Sequence, residues 1–211
     1  MDYFKSHPDS NINKSDIIQI VYDIQAGQYI NKTIKNPEWT NEYSAALAKI
    51  IGKLDGVYCF LEAGVGEGTT MYHVLSKLDS IPESIYGFDL SYSRLRYARH
   101  YMMTKNMNFE FMYMADIFNS SMLDNSIDLV FSSHALEPNG GREEAALVEL
   151  HRIARKYIVL FEPSYELGNE KSKQHISKNG YVTSLYKTAI KLGFNVIEHK
   201  LIFDEHPLFT K

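Results

Sequence analysis

Glycine, carboxylate and histidine side chains at a few spacings carry the chemical information in this sequence. The segment Leu61-Glu62-Ala63-Gly64-Val65-Gly66-Glu67-Gly68-Thr69-Thr70 joins an apolar run to a helix start. Glycines there let the backbone turn sharply and approach a ligand closely, and helix-terminal N–H groups face the ligand's polar end. Farther on, Tyr86-Gly87-Phe88-Asp89-Leu90-Ser91 sets Asp89 at the end of a second apolar run. A carboxylate in that place can accept the ribose hydroxyls of an adenosine. A third acidic position, Asp116, lies in Met114-Ala115-Asp116-Ile117 after a third run. Farther along, Ser132-Ser133-His134-Ala135-Leu136-Glu137-Pro138 offers a histidine suited to proton transfer near neutral pH, with Glu137 three residues on.

Each residue also has a plainer reading. The glycines serve any tight turn. Asp89 can cap the following helix, although Ser91 already suits that task. Asp116 can close an Asx turn. His134 can pack, or hold its loop by a backbone bond. Glu67 reads as a solvated carboxylate in a helix's first turn.

The elements that position these residues follow from periodicity. A helix is expected over 15–30, capped by Ser15 and weakened or ended by Gly27. A second begins at a Thr40 or Asn41 cap, buries Tyr43, Ala46, Leu47, Ile50, Ile51 and Leu54, and stops at Gly56. Strands are then expected at 57–62, 84–89, 109–115, 127–132, 157–161 and 194–202. Helices are expected from about Thr69, from Ser91 to Lys105, over 142–155 and over 182–192. Alternation of apolar strands with helices implies an α/β fold, a mostly parallel sheet covered on both faces. Ligands then bind beyond the carboxyl ends of the strands, at residues 63–68, 89–91, 115–126, 133–141 and 162–181.

Two cofactor families use such a layout. Dinucleotide enzymes need G-x-G-x-x-G, but Thr69 stands at the third position and Glu62 and Glu67 would oppose a pyrophosphate. S-adenosylmethionine carries no phosphate and has a positive sulfonium, which acidic neighbours suit. The E-x-G-x-G-x-G form resembles the first motif of class I S-adenosylmethionine-dependent methyltransferases. Leu123-Asp124-Asn125-Ser126-Ile127-Asp128-Leu129-Val130 resembles that family's approach to strand four, and Glu149-Leu150-His151-Arg152-Ile153 resembles its helix before strand five. The likeness spans about 57–200 and is nearest to the ubiquinone/menaquinone-biosynthesis-like small-molecule branch.

The resemblance implies a Rossmann-like fold, with an N-terminal helical cap over 1–56 and a cofactor-binding domain over 57–211 in one unit. It implies cofactor contacts by Glu62, Gly64, Gly66, Gly68, Asp89, Leu90, Asp116, Ile117 and Ser133, with Asp116 reaching the adenine amino group. Tyr22-Asp23-Ile24-Gln25-Ala26-Gly27-Gln28-Tyr29 resembles a lid segment, making Tyr22, Gln25 and Tyr29 candidates to close over the cofactor. His134 is the candidate base, and Glu137, Glu162, Tyr165 and His175 are candidate acceptor contacts. Residues 132–166 resemble methyltransferases encoded with bacterial surface-glycan genes, which implies a sugar-linked acceptor. The N/D-P-P-Y signature of many amino-group and nucleic-acid methyltransferases is absent. The expected function is methyl transfer to an oxygen or nitrogen of a small polar metabolite. The competing readings are a non-catalytic regulatory or scaffold protein that binds the same cofactor, and a nicotinamide-dependent oxidoreductase.

Composition narrows the partners. A net charge of −4 without a basic stripe argues against nucleic acid. No apolar run reaches the roughly 20 residues of a membrane span, and the first ten residues do not read as a signal peptide. Cys59 is the only cysteine, too few for a disulfide or a cysteine zinc site, and reads as a core thiol. No metal site is expected, and the default compartment is the cytoplasm. At the C-terminus, residues 203–211 leave room for only a stub of the family's usual seventh strand, an edge that a homodimer partner could cover.

Overall fold

Strands covered on both faces require apolar side chains at successive positions, and β1 (Cys59–Ala63) and β4 (Ile127–Ser133) meet that requirement. The computed structural model describes residues 15–203. Helices α1 (Ser15–Ile24), α2 (Gln28–Lys35) and α3 (Pro37–Ile51) precede β1. After it come α4 (Thr69–Leu75), β2 (Ser84–Asp89), α5 (Tyr92–Thr104), β3 (Phe111–Met114), β4, α6 (Glu143–Ile153), β5 (Ala154–Phe161), α7 (Glu170–Asn179) and α8 (Leu185–Lys191). The five strands are all parallel, in the order β3-β2-β1-β4-β5.

Alternation along the strands sorts side chains into two cores. Phe60, Leu129 and Phe131 face Leu47 and Ile51 of α3, Met71 and Leu75 of α4, and Leu95 and Met102 of α5. Leu61, Ala63 and Val130 face Ala146, Leu150 and Ile153 of α6. The sheet is thus doubly wound, as the Rossmann-like class I methyltransferase fold requires. Strand order switches direction at β1, with β2 and β3 added on one side of it and β4 and β5 on the other, and the crevice at the carboxyl ends of β1 and β4 is where such sheets bind ligands.

Three expectations need correction. The helix expected over 15–30 is two helices, because Gly27 takes φ 91°, a left-handed conformation that no helix interior accommodates. The next helix starts at Pro37 rather than after Thr40, since proline's fixed φ suits a first helical position. Residues 194–202 form no strand. Phe194 stacks on His151 at 4.5 Å and His199 on Tyr186 at 4.4 Å, and no described strand pairs with them. Apolar alternation alone does not supply a ladder partner. The first ten residues and nearly all of the expected C-terminal stub lie outside the described residues. Cys59 is half-buried rather than fully buried, and burial and the Asp128 charge push its thiol pKa up. Among the described residues no helix is long and apolar enough to cross a membrane, and no cluster of three metal-ligating side chains occurs.

Candidate active site

The glycine loop leaves β1 and turns through three left-handed glycines, Gly64 (φ 76°), Gly66 (φ 54°) and Gly68 (φ 74°). A Cβ on Gly64 would lie 2.1 Å from the Ala135 Cβ, so glycine there lets the loop after β4 come close. Asp89, buried at the end of β2, ties this loop to the next helix. Its Oδ2 accepts from Gly66 N at 2.8 Å, and its Oδ1 accepts from Ser91 N at 2.8 Å. Ser91 caps α5 by accepting from Arg94 N at 3.1 Å, as its sequence position suggests. Its hydroxyl also donates to Asp23 Oδ1 at 2.5 Å, so α1 is fastened to the start of α5. Asp23 accepts from Ser93 N as well. Burial works to raise its pKa, but these bonds outweigh burial and hold it low.

Glu67 overturns its sequence reading. Its side chain is fully buried and caps the N-terminus of α2 across the loop. Oε1 accepts from Gly27 N at 3.0 Å and Tyr29 N at 3.2 Å, and Oε2 accepts from Ile30 N at 2.8 Å. A carboxylate at a helix N-terminus meets donors that have no intrahelical partner, and favours that end of the helix dipole. The α1–α2 segment is therefore latched to the glycine loop by Glu67 and to α5 by Asp23. This latch brings Tyr22 and Tyr29 to the cleft wall; burial raises the pKa of the Tyr22 phenol, while Tyr29 keeps 38% of its surface exposed.

Glu62 is buried on the α4 side of β1. Its Oε2 has no hydrogen-bond partner, and burial together with the Asp89 charge drives its pKa well up. Arg94 was not anticipated in sequence, because only the packing of α1 and α2 brings it over the loop. Its guanidinium lies 4.8 Å from the Tyr22 ring centre and 4.6 Å from that of Tyr29.

The loop after β4 forms the opposite wall. His134 adopts φ 56°, unusual for a non-glycine residue, and donates its backbone N–H to Phe161 O at 3.0 Å. Its Nδ1 lies 2.7 Å from Glu137 Oε2. Burial would depress the His134 pKa, but the Glu137 hydrogen bond and the charges of Glu137 and Glu162 outweigh it, and the pKa is raised. Glu162 is the carboxylate that holds the loop in place. Oε1 accepts from Ser132 Oγ at 2.8 Å, Ala135 N at 3.1 Å and Leu136 N at 3.2 Å, and Oε2 accepts from Glu137 N at 3.0 Å. Burial nevertheless pushes its pKa up to about 7. Ser133 Oγ lies 2.6 Å from Tyr43 Oη, a third phenol at the site, on a helix face that periodicity assigns only to packing.

The cleft between these walls is lined by Tyr22, Gln25, Tyr29, Glu62, Gly64, Gly66, Arg94, Ser133, His134, Glu137 and Glu162. Its full volume, about 2020 Å³, continues along β5 to residues 194–203, so only the part over the glycine loop bears on the chemistry above. Tyr165 and His175 line the same continuous space. His175 sits on α7, its ring 5.8 Å from Tyr181 and its Nε2 3.2 Å from Asn179 Nδ2. Asp116 and Ile117 are not in the cleft wall. Asp116 Oδ1 accepts from Phe118 N at 3.1 Å in an Asx turn, and the Ile117 side chain is buried in the α6-side core. Leu90 is half-buried between Asp89 and Ser91.

Residues 60–156 match a family profile described as a methyltransferase domain. Solved structures share the architecture at low identity. A Bacillus halodurans protein described as a candidate methyltransferase is 16% identical, over 73% of this chain and 70% of its own, with a TM-score of 0.58. The cyclase SpnF is 14% identical over 85% of this chain and 73% of its own, with a TM-score of 0.66. A geranyl diphosphate C-methyltransferase of Streptomyces coelicolor, solved with S-adenosylhomocysteine, is 11% identical over 74% and 59%, with a TM-score of 0.56. At such identities the likeness is one of fold, and a single fold hosts many reactions. The matches do not single out the ubiquinone/menaquinone-biosynthesis-like branch. No curated protein sequence matches.

Proposed function

We propose that this chain, a class I S-adenosylmethionine-dependent methyltransferase, places the methyl group on an oxygen or nitrogen of a small polar metabolite. The observation that carries the reading is the His134–Glu137 pair, 2.7 Å apart, on the loop that meets the glycine loop at Gly64 and Ala135. When bound, the cofactor supplies a methyl group on a positive sulfonium, which leaves readily.

The site's own residues fit such a ligand. Glu62, Glu67 and Asp89 are buried carboxylates on or beside the loop, a setting that favours a cationic ligand over a pyrophosphate. Glu62 Oε2 is an acceptor in want of a donor. Asp89 spends one lone pair of each oxygen on backbone N–H groups and keeps acceptor capacity for ribose hydroxyls.

On the acceptor side, Glu137 holds the proton of His134 on Nδ1, which makes Nε2 the basic nitrogen. An acceptor hydroxyl would pass its proton to Nε2 as an oxygen lone pair meets the methyl carbon, whereas an acceptor ammonium would first lose a proton to Nε2 and the lone pair so freed would then attack the methyl carbon. The raised pKa strengthens His134 as a base. Glu162 fixes the loop so that the ring is already oriented, and Tyr22, Tyr29 and Tyr43 wall the cleft against water. Trp39, Tyr43, Phe161 and Phe203 form an adjoining group of rings, with Trp39 and Phe203 centres 4.9 Å apart. Such a surface supports an acceptor with an apolar ring face, a sugar-linked one included.

The test is incubation with S-adenosylmethionine and a panel of sugar, phenol and amine acceptors. S-adenosylhomocysteine release that matches an O- or N-methylated product is expected. Acceptor-independent binding without turnover would favour the regulatory alternative, and a C-methylated product would overturn the acceptor assignment.

A further inference from the structure

The loop that carries His134 is met by residues 180–182, just past α7. Gly180 ends that helix in the left-handed region, φ 64°, and turns the chain toward the loop. Val182 N donates to Glu137 O at 3.0 Å, and Gly140 N donates to Gly180 O at 3.2 Å. The two segments lie so close that a Cβ on Gly140 would come within 2.5 Å of the Gly180 and Tyr181 carbonyl oxygens. Tyr181 N donates to Ile176 O at 3.1 Å and Val182 is buried, so the backbone that carries Tyr181 is fixed. Glu137 is pinned in turn, its N–H on Glu162 and its carbonyl on Val182. Its carboxylate lies 2.7 Å from His134 Nδ1 and also accepts from the Tyr181 hydroxyl. Burial and that charge hold the Tyr181 phenol's pKa well up, so it keeps the proton it donates.

We infer that Tyr181 is a positioning residue for the methyl transfer, its hydroxyl fixing the Glu137 carboxylate on Nδ1 of His134 so that Nε2 stays the basic nitrogen. This rests on the assignment of His134 as the base above. A carboxylate has several acceptor sites, and one held by a single partner can turn toward water. A second donor on a fixed backbone removes that freedom. Other groups face this pair. Tyr22 of α1 and Tyr29 of α2 face Glu137, while Glu162, after β5, and Lys32 of α2 act on His134 through their charge. Charge alone sets no direction, whereas the Tyr181 hydrogen bond does.

Nuclear magnetic resonance of the imidazole nitrogens in the ligand-free protein tests the inference without turnover. Wild-type His134 is expected to carry its neutral-form proton on Nδ1. In Tyr181→Phe, which keeps the ring and the backbone bonds, the His134 pKa should fall toward the ordinary value of about 6.5 and the Nδ1 tautomer should lose its preference. Glu137→Gln should lower the pKa likewise, and adding Tyr181→Phe to it should change nothing further. With an accepted substrate, Tyr181→Phe should cut kcat about 10-fold with acceptor KM little changed. An unaltered His134 pKa and tautomer in folded Tyr181→Phe overturns the inference, and so does a full effect of Tyr181→Phe in the Glu137→Gln background. If the variants do not fold, the wild-type Tyr181 Cζ resonance decides: it should move as His134 titrates, and a constant Cζ shift through that step overturns the inference. A lowered pKa with kcat unchanged bears out the link from Tyr181 through Glu137 to His134 and overturns the base assignment on which it rests.

Discussion

Replacing Glu67 by glutamine should release the α1–α2 segment while leaving the sheet intact. The carboxylate satisfies three backbone donors at the start of α2, and its side chain is fully buried, so solvent screening does not weaken these bonds. Glutamine retains an oxygen for Gly27 and Tyr29, but turns an NH₂ group toward Ile30 N. One charge-assisted bond is lost and a donor is left facing a donor, a penalty of about 2–3 kcal/mol. The favourable charge at the helix N-terminus is also lost. Because this energy acts on docking of the segment, it should appear as local opening rather than global unfolding. Hydrogen exchange followed by mass spectrometry should show α2 amides exchanging roughly 30- to 150-fold faster, with β1 and β4 unchanged. Ile30→Pro, which deletes one donor at a helix position that tolerates proline, should give a smaller change in the same place. Unaltered exchange in α2 of Glu67→Gln would refute the latch.

Three other substitutions probe the remaining parts. Asp89→Asn should weaken S-adenosylhomocysteine binding at least about tenfold in a titration. It should also lower the melting temperature, because the carboxylate holds Gly66 N and Ser91 N as well. His134→Asn should cut kcat by at least about 100-fold with cofactor affinity retained. Wild-type kcat should rise with pH through a value above the ordinary histidine pKa, as the raised base loses its proton. Glu162 has a folded pKa near 7, above its ordinary value, so the folded state binds more protons than the unfolded one between about pH 4.5 and 7. Stability should therefore fall as pH rises through that window, and chemical denaturation of Glu162→Gln should show a flatter dependence there.

The sequence disclosed most of the sheet because its signals are local. The apolar runs of β1, β2 and β4, the Ser91 cap and the glycine loop each announce themselves within about ten residues, and β2 begins and ends where the sequence places it. What was misread depends on contacts between distant segments. Glu67 looks like a surface carboxylate until α2, some 40 residues earlier, is seen to end on it. Arg94 carries no signal beyond its place in a helix's first turn, and only the Tyr22 and Tyr29 rings reveal its burial. Glu162 lines the cleft, and its four hydrogen bonds to Ser132 and the backbone of residues 135–137 are a use no motif announces. Residues 194–202 carry a strand's alternation without a strand's partner.

The most direct test of the account is a calorimetric titration of the purified protein with S-adenosylhomocysteine and, separately, with NAD. Binding of the former with a raised melting temperature, and none of the latter, is the predicted result. Binding of NAD with no response to S-adenosylhomocysteine would contradict the account.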